Sequence, residues 1–495
     1  MRFFTIAVRC FILSLVSSAS FSQSTDFKTP YTDSSYHFVG LSFYGSSIKQ
    51  TPFWMHANQY GIVPKESPST VFHTAIEHFL NIDRKKRRYS VLRAGGGIEA
   101  VVHMPDKKML LPQLYGSLRY KNWELFIGRK KQVIGLADST VGMGSYVWSG
   151  NTMPVPKIQL GTRRFVSLPF TNSWISFHAF YSDGFFEKNR YSTSGLKLHQ
   201  KALYLKLGRD DSRLRLYGGF NHQVQWGGKS PYHTIDDQMP NGMKNYWNVV
   251  TGKAHVKSDR ITHFDSTNRI GNHLGTVDLA VELEMINHNL LIYRQNLYED
   301  GSLYYLDNIS DGLNGIRFRR KALYSEIFSI RDIVIEFLYT KNQAGPIANV
   351  DSYKRGKDNY FNNAQVRDGW SYMGRTIGTP FISPTSDIKP EWPPLADFFT
   401  NNNRVAVWHV GLAGECLRTA SWSAKLSYSS NAGTYDVPFP VAARQFSGLI
   451  DFNIPVHLLG KMILKCSVAA DYGKLYSKSY GFSLGLRKND LLNFR

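Results

Sequence analysis

Short segments of this chain alternate apolar and polar side chains with a period of two, and the stretches joining them are sorted by length. In Thr276–Met285, Val277, Leu279, Val281, Leu283 and Met285 share one face, while Thr276, Asp278, Ala280, Glu282 and Glu284 share the other. Ser212–Trp226, Ser421–Ser429 and Tyr480–Arg487 repeat the pattern. A period of two with one apolar face is the mark of a strand. About eighteen such segments can be traced, many near the length that crosses a bilayer when tilted. They start near 36–44 and 71–80 and end near 461–472 and 480–489.

The joins add a second constraint. With the strands numbered in order, the even-to-odd joins are short, as at Lys121-Asn122 and Asn287-His288. The longest joins, about 45–70, 131–156, 227–272 and 342–402, are all odd-to-even. Outer-membrane barrels sort their connections this way, with tight periplasmic turns and long outer loops. After the first residues no apolar run of about 18 residues occurs, so a helical membrane protein is excluded. The expected fold is all-β: a transmembrane antiparallel β-barrel of about 18 strands. Its lumen is expected to be plugged by the long extracellular loops, with both termini in the periplasm.

Met1–Ser22 reads as a secretory signal, with Arg2 and Arg9, an apolar core at Ile6–Val16, and Ser20-Phe21-Ser22 before the cut. The expected division is 1–22 signal peptide and 23–495 a single outer-membrane barrel domain, located in the cell outer membrane. A formal charge of +21 favours acidic partners. Export argues against nucleic acid and leaves acidic polysaccharide and outer-membrane lipid, including lipopolysaccharide. Cys416 and Cys466 fall in separate strands and read as small hydrophobes rather than a disulfide.

The polar faces predict the lumen. Pairing of 212–226 with 273–286 places Arg213 and Arg215 near Glu284 and Glu282, and the next hairpin places Lys321 near Glu336. Gly95-Gly96-Gly97 permits a bend or a close backbone approach. No G-x-S-x-G elbow, H-E-x-x-H or phosphate-binding loop is present. Asp307–Gly312 resembles the front of a calcium loop without its closing Glu, and reads as a turn. No catalytic residue, metal or cofactor is expected.

Three loop stretches concentrate aromatic and amide side chains: Thr51–Pro64, Ala137–Pro156 and Asn359–Phe381. Sugar rings offer CH faces that stack on Trp and Tyr, and hydroxyls that Asn, Gln and Arg can bond. Trp54, Tyr60, Trp148, Tyr360 and Trp370 are the candidate platforms. Asn58, Gln59, Asn151, Asn362, Asn363, Arg367 and Arg375 are the candidate polar partners. The same residues could instead cement the loops into a plug, and composition leaves both readings open.

The segments PFWMHANQYGIVP, GMGSYVWSGNTMPVPKIQLGT, DNYFNNAQVRDGWSYMGRTIGTPF and NNNRVAVWHVGL resemble the Wzi capsule-assembly family, in the version found in Bacteroidetes-type bacteria. The resemblance runs along most of the mature chain. It implies an outer-membrane barrel with a loop-blocked lumen and a lectin-like role in holding exported capsular polysaccharide. The capsule export machinery is the further partner it brings to mind. Better-understood members carry a periplasmic helical portion near the N-terminus; none is seen in Gln23–Ser35. Beside this non-enzymatic binder stand two other readings: a selective channel for sugars or anions, and a glycan-modifying enzyme built on the loops.

Overall fold

A computed structural model describes residues 35–82, 92–253, 262, 269–299, 302–321, 327–348, 356–417, 419–458 and 460–492. The expected signal at 1–22 lies outside the described residues.

Eighteen long strands close into one antiparallel barrel. They are β1 Ser35–Ser46, β2 Ser69–Asn81, β3 Leu92–Met104, β4 Lys108–Tyr120, β5 Trp123–Arg129, β6 Lys157–Thr162, β7 Ile175–Phe185, β8 Lys197–Leu207 and β9 Leu214–Trp226. The second half comprises β10 Asn272–Glu284, β11 His288–Tyr298, β12 Gly312–Arg320, β13 Phe328–Tyr339, β14 Val405–Cys416, β15 Ala420–Gly433, β16 Pro438–Val456, β17 Met462–Gly473 and β18 Ser479–Leu492. Each strand pairs with its sequence neighbour, and β1 pairs with β18 from Ser35↔Leu492 to Ser46↔Gly481. Closure removes the unpaired edges that a hydrocarbon phase would penalise. Every segment expected from alternation is present. The sixth breaks after Thr162 and resumes as Val166–Ser167, both pieces pairing with β7, so the join to β7 is longer than the other even-to-odd joins.

The outward face is apolar. Leu203, Leu205, Leu216, Phe220, Val277 and Leu279 are exposed on neighbouring strands. The inward face is polar and ion-paired. Glu99 accepts from His73 and Lys131, each at 2.6 Å. Glu124 meets Arg119 at 2.9 Å and Lys130 at 2.5 Å. Cys416 and Cys466 lie on β14 and β17 as free thiols. The glycine run lies in β3 where neighbouring strands approach closely: a Cβ on Gly95 would sit 2.1 Å from the His78 carbonyl oxygen, and one on Gly96 2.2 Å from that of Tyr115.

Two expected lumen pairs need correction. Arg215 alone bridges both carboxylates, with Nε 2.9 Å from Glu282 and Nη2 2.6 Å from Glu284. Arg213 is exposed, and its carbonyl accepts from the Glu284 amide. Lys321 pairs with Glu284, not Glu336, because it lies past the end of β12 and turns back to the Glu284 side, whereas Glu336 stands opposite Gly315 farther up the wall. Arg215→Ala would leave Glu282 buried without its cation. We expect about 3–5 kcal/mol of destabilisation, read as a lowered thermal midpoint in detergent; an unchanged midpoint would show that the neighbouring hydrogen bonds suffice.

The long joins lie at one rim: 47–68, 130–156, 186–196, 227–271 and 340–404. Three of them send side chains into the lumen, from 47–68, 130–156 and, in the third, the described stretch 356–404.

Candidate functional site

The lumen at the long-loop end holds a packed core rather than open water. The one-turn helix α1, Phe53–His56, drops Phe53, Trp54 and Met55 into it. Loop 130–156 adds Met143, Tyr146, Val147 and Trp148, and loop 340–404 adds Tyr360, Phe361, Trp370 and Phe381. Tyr146 meets the Phe361 ring edge-on at 5.2 Å. A Cβ on Gly378 would lie 2.0 Å from the Tyr146 carbonyl oxygen, so only glycine lets the two loops cross there.

The barrel wall holds loops 47–68 and 130–156 through buried acceptors. The Met143 amide donates to Glu336 at 2.5 Å, and Tyr293 OH donates to the same carboxylate at 2.6 Å. The Leu136 amide donates to Asp278 at 2.7 Å, and the Tyr146 amide to Gln295 at 2.9 Å. The Phe53 amide donates to Asp471 at 2.8 Å. Asp138 folds its own loop, accepting from the amides of Thr140, Val141 and Gly142 at 2.9–3.0 Å, with Arg317 3.6 Å away.

The sequence-derived candidates divide between this plug and its margins. Trp54, Trp148, Tyr360 and Trp370 are 1%, 5%, 0% and 0% exposed. Trp54 donates to Ser427 Oγ at 3.0 Å, and Tyr360 OH to Asp311 at 2.8 Å. Asn151 and Asn362 are also buried; Asn151 ties loop 130–156 to loop 340–404 through the Thr376 carbonyl at 3.0 Å, and Asn362 closes loop 340–404 on itself through the Thr400 carbonyl at 2.9 Å. Asn58 donates to the Met143 carbonyl at 2.8 Å. Asn363 caps the turn at Gln365 and Val366. Half-buried Gln59 accepts from the Ile62 amide at 2.9 Å. Tyr60 faces the charged lumen, its ring 5.0 Å from Lys131 Nζ. Arg367 lies at the rim, stacked 3.6 Å over Tyr232 and paired with Asp397.

Arg375 reaches a cleft that the candidate Asn151 also lines. It donates to the carbonyls of His56 and Val63 at 3.2 and 2.8 Å. Beside it, Lys65 binds both carboxylate oxygens of Asp387, at 2.6 and 2.7 Å. The opposite wall is Tyr476, its ring stacked on Phe53 at 5.6 Å and its hydroxyl 2.5 Å from Ser383 Oγ. Gln50, Thr51, Ser477, Ser479 and a second carboxylate, Asp471, also line it. The cleft lies between loop 47–68, loop 340–404 and the turn joining β17 to β18, all at the long-loop rim.

Two cations face one another here. Burial pulls the Lys65 ammonium and the Arg375 guanidinium down from their usual ranges, with the Asp387 carboxylate opposing the shift. Burial, then the charges of Arg375 and Lys65, hold the His56 imidazole well below its ordinary range, so it stays neutral. Lys65, Asp387 and Tyr476 were not singled out from sequence. Lys65 adjoins one aromatic-rich stretch, but Asp387 and Tyr476 lie in segments whose composition is unremarkable for a surface.

Among solved structures, the fold is similar to Wzi of Escherichia coli, described as an outer membrane protein involved in group 1 capsule assembly and a carbohydrate-binding β-barrel. The TM-score is 0.55 and the identity 13%, over 91% of this chain and 84% of that one. Pseudomonas aeruginosa OccK3 and Acinetobacter baumannii OccAB4 align with TM-scores of 0.44 and 0.46 and identities of 10% and 9%. Each pairing covers 93% of this chain, and 96% and 99% of the other. No curated protein matches the sequence. The model of the family described as capsule assembly protein Wzi matches residues 14–406, and the chain belongs to that family.

Proposed function

We propose that this protein is a non-enzymatic outer-membrane binder that retains capsular or other surface polysaccharide on its long-loop face. The observation that carries this reading is the cleft of Lys65, Arg375, Asp387 and Tyr476, set on a lumen filled by its own loops. A filled lumen makes a poor passage but a rigid support. The cleft offers an aromatic face for a sugar ring, hydroxyls at Thr51, Ser383 and Ser477, and two cations beside two carboxylates, of which Asp471 is already taken by the Phe53 amide, Ser447 and Ser479. That set suits a sugar bearing a carboxylate. The buried tryptophans act in this account by fixing the loops, and the export machinery supplies the chain that the face holds.

The test is a glycan array of the native cell's surface polysaccharides probed with the purified barrel. Lys65→Ala is expected to weaken binding of the acidic glycan on the order of tenfold, the worth of one charge-assisted hydrogen bond, and to leave neutral glycans unaffected. Equal affinity of variant and parent for every acidic glycan would overturn the assignment of the cleft.

A further inference from the structure

Along much of the inner wall the ionised groups are matched. Glu124 holds Arg119 and Lys130, Glu99 holds His73 and Lys131, and Glu77 accepts from Tyr115 OH at 2.7 Å. The sector from β15 round to β1 departs from this. The even-numbered residues of its strands point outward, as exposed Leu426, Ile450, Val468 and Leu484 show, so Lys425, Asp451, Lys465 and Arg487 point inward. Lys465 lies opposite Gly485 and Arg487 opposite Ile463, which makes the two cations diagonal neighbours on one face. Among the described residues, Lys465 has no hydrogen bond or ion pair. Arg487 donates from Nε to Asn489 Oδ1 at 2.6 Å and stacks on Phe38, 3.6 Å from the ring centroid. Both of its Nη nitrogens are left unbonded. Asp451 is the carboxylate beside them, diagonal to Lys465 on one side and to Lys425 on the other, and it forms an ion pair with neither. Lys425 instead lies 4.8 Å from the Trp54 ring, under α1.

The room in front of these groups comes from small residues. Gly40 stands between Arg487 and His73 across two ladders, and Ser42 lies opposite Gly485. Beside them Ser483 Oγ donates to Ser467 Oγ at 2.8 Å. Lys425, Asp451, Lys465 and Arg487 are half-exposed although they face into the barrel. Buried Trp54 and the loop core close the recess toward the long-loop rim. Lys465 stands three residues from Met462, the start of β17, and so roughly 10 Å inside the short-turn rim. Outer-membrane barrels present that rim to the periplasm.

We propose that this recess is a second binding site, facing the periplasm, for the carboxylate of an acidic sugar. It does not rest on the outer cleft. Cations confined between low-dielectric walls, with one unpaired carboxylate among three of them, concentrate anions from the solution they face. The free Nη edge of Arg487 fits the two oxygens of a carboxylate, and the Lys465 ammonium is the second donor. Tyr36, one inward position nearer the mouth than Phe38, is half-exposed and offers a ring face for sugar CH groups. Ser467 and half-exposed Asn453, which lies opposite Lys465, can bond the sugar hydroxyls. An inorganic oxyanion would satisfy the cations but leave Tyr36 and Asn453 unused, so the set fits a sugar acid better.

The test is isothermal titration of the mature barrel in detergent, where both rims are open, with a galacturonate trisaccharide, a neutral galactose trisaccharide and inorganic phosphate. Every variant is made in the parent and in Lys65→Ala, so that loss at the outer cleft and loss at the recess are read separately. The galacturonate trisaccharide is expected to bind in the Lys65→Ala background and the neutral one not to bind. Lys465→Gln and Arg487→Gln are each expected to weaken that binding about tenfold, the worth of one charge-assisted hydrogen bond. Neither substitution should lower the thermal midpoint of the ligand-free barrel, because it removes one of several crowded cations. The trisaccharide should raise the midpoint of the parent and not that of the double variant. Undiminished affinity in the double variant would overturn the proposal. So would phosphate bound as tightly as the trisaccharide, or a midpoint that falls on substitution while affinity holds. Binding that appears only after residues 23–34 are removed would assign the recess to the chain's own N-terminal segment and overturn it equally.

Discussion

Replacing residues 131–155 with a short Gly-Ser linker is expected to turn a barrel that passes no measurable current across a planar bilayer into one that conducts. An eighteen-stranded closure encloses enough space for an aqueous channel if nothing fills it. Here the filling comes largely from that loop, which contributes Leu136, Met143, Tyr146, Val147 and Trp148 to the core of the lumen. None of the loop's residues takes part in the pairing that closes the wall, since β5 and β6 pair directly from Trp123↔Thr162 to Gly128↔Lys157. The wall should therefore assemble without it and run as a folded, heat-modifiable species on a gel. A smaller change, Glu336→Ala, removes the acceptor shared by the Met143 amide and Tyr293 OH. It should loosen the loop and produce brief openings, because a buried donor left without an acceptor costs about 1–3 kcal/mol. A folded linker variant that stays silent would mean that loops 47–68 and 340–404 close the lumen alone. An intact protein that conducts steadily would favour the channel reading over the plug.

The wall of this barrel was legible in the sequence, and the reason is physical. A strand between hydrocarbon and a polar lumen must alternate, so Val277 to Met285 and Leu214 to Trp226 declare both their conformation and their faces. Antiparallel closure forces an even number of crossings, and the lengths of the joins show which rim is which. Alternation does not show what lies over a face. Lys197, His199, His222 and His273 occupy outward positions, and the helix Met243–Thr251 packs on the outside of this sector through Val249 and Tyr246. The candidate site was legible in composition but not in burial. Trp54, Trp148, Tyr360 and Trp370 have the chemistry of a sugar platform, and the same rings, amides and glycines also pack a polar loop against itself. What separates the two uses is long-range: Trp54 meets Ser427, Asn151 meets the Thr376 carbonyl, and Tyr360 meets Asp311. No local pattern encodes contacts that span from 49 to 373 residues. The lumen pairs failed for a smaller reason of the same kind. The register placed Arg215 opposite Glu282 correctly, but a lysine beyond the end of its strand is free to turn, and Lys321 does so.

Trp370→Ala is expected to unfasten loop 340–404 without opening the barrel. The indole is fully buried, and its backbone clamps the loop on both sides, the amide donating to Phe361 O and the carbonyl accepting from the Ile377 amide, each at 3.0 Å. Truncating a buried tryptophan costs about 3–5 kcal/mol, and here the loss falls on a loop whose release leaves every strand pairing of the barrel wall intact. Protease should then cut within 356–404 in the variant and not in the parent, while the heat-modifiable barrel persists. Glycan affinity should fall with it, since Arg375 and Asp387 ride on the same loop and the cleft exists only while they are held against Lys65. Trp370→Phe keeps most of the ring and should keep both protease resistance and most of the affinity. The pairing of the two readouts separates support from contact. If the alanine variant lost affinity while its loop stayed resistant, the indole would have to touch the sugar itself, and the tryptophan would move from the scaffold of the site to its surface.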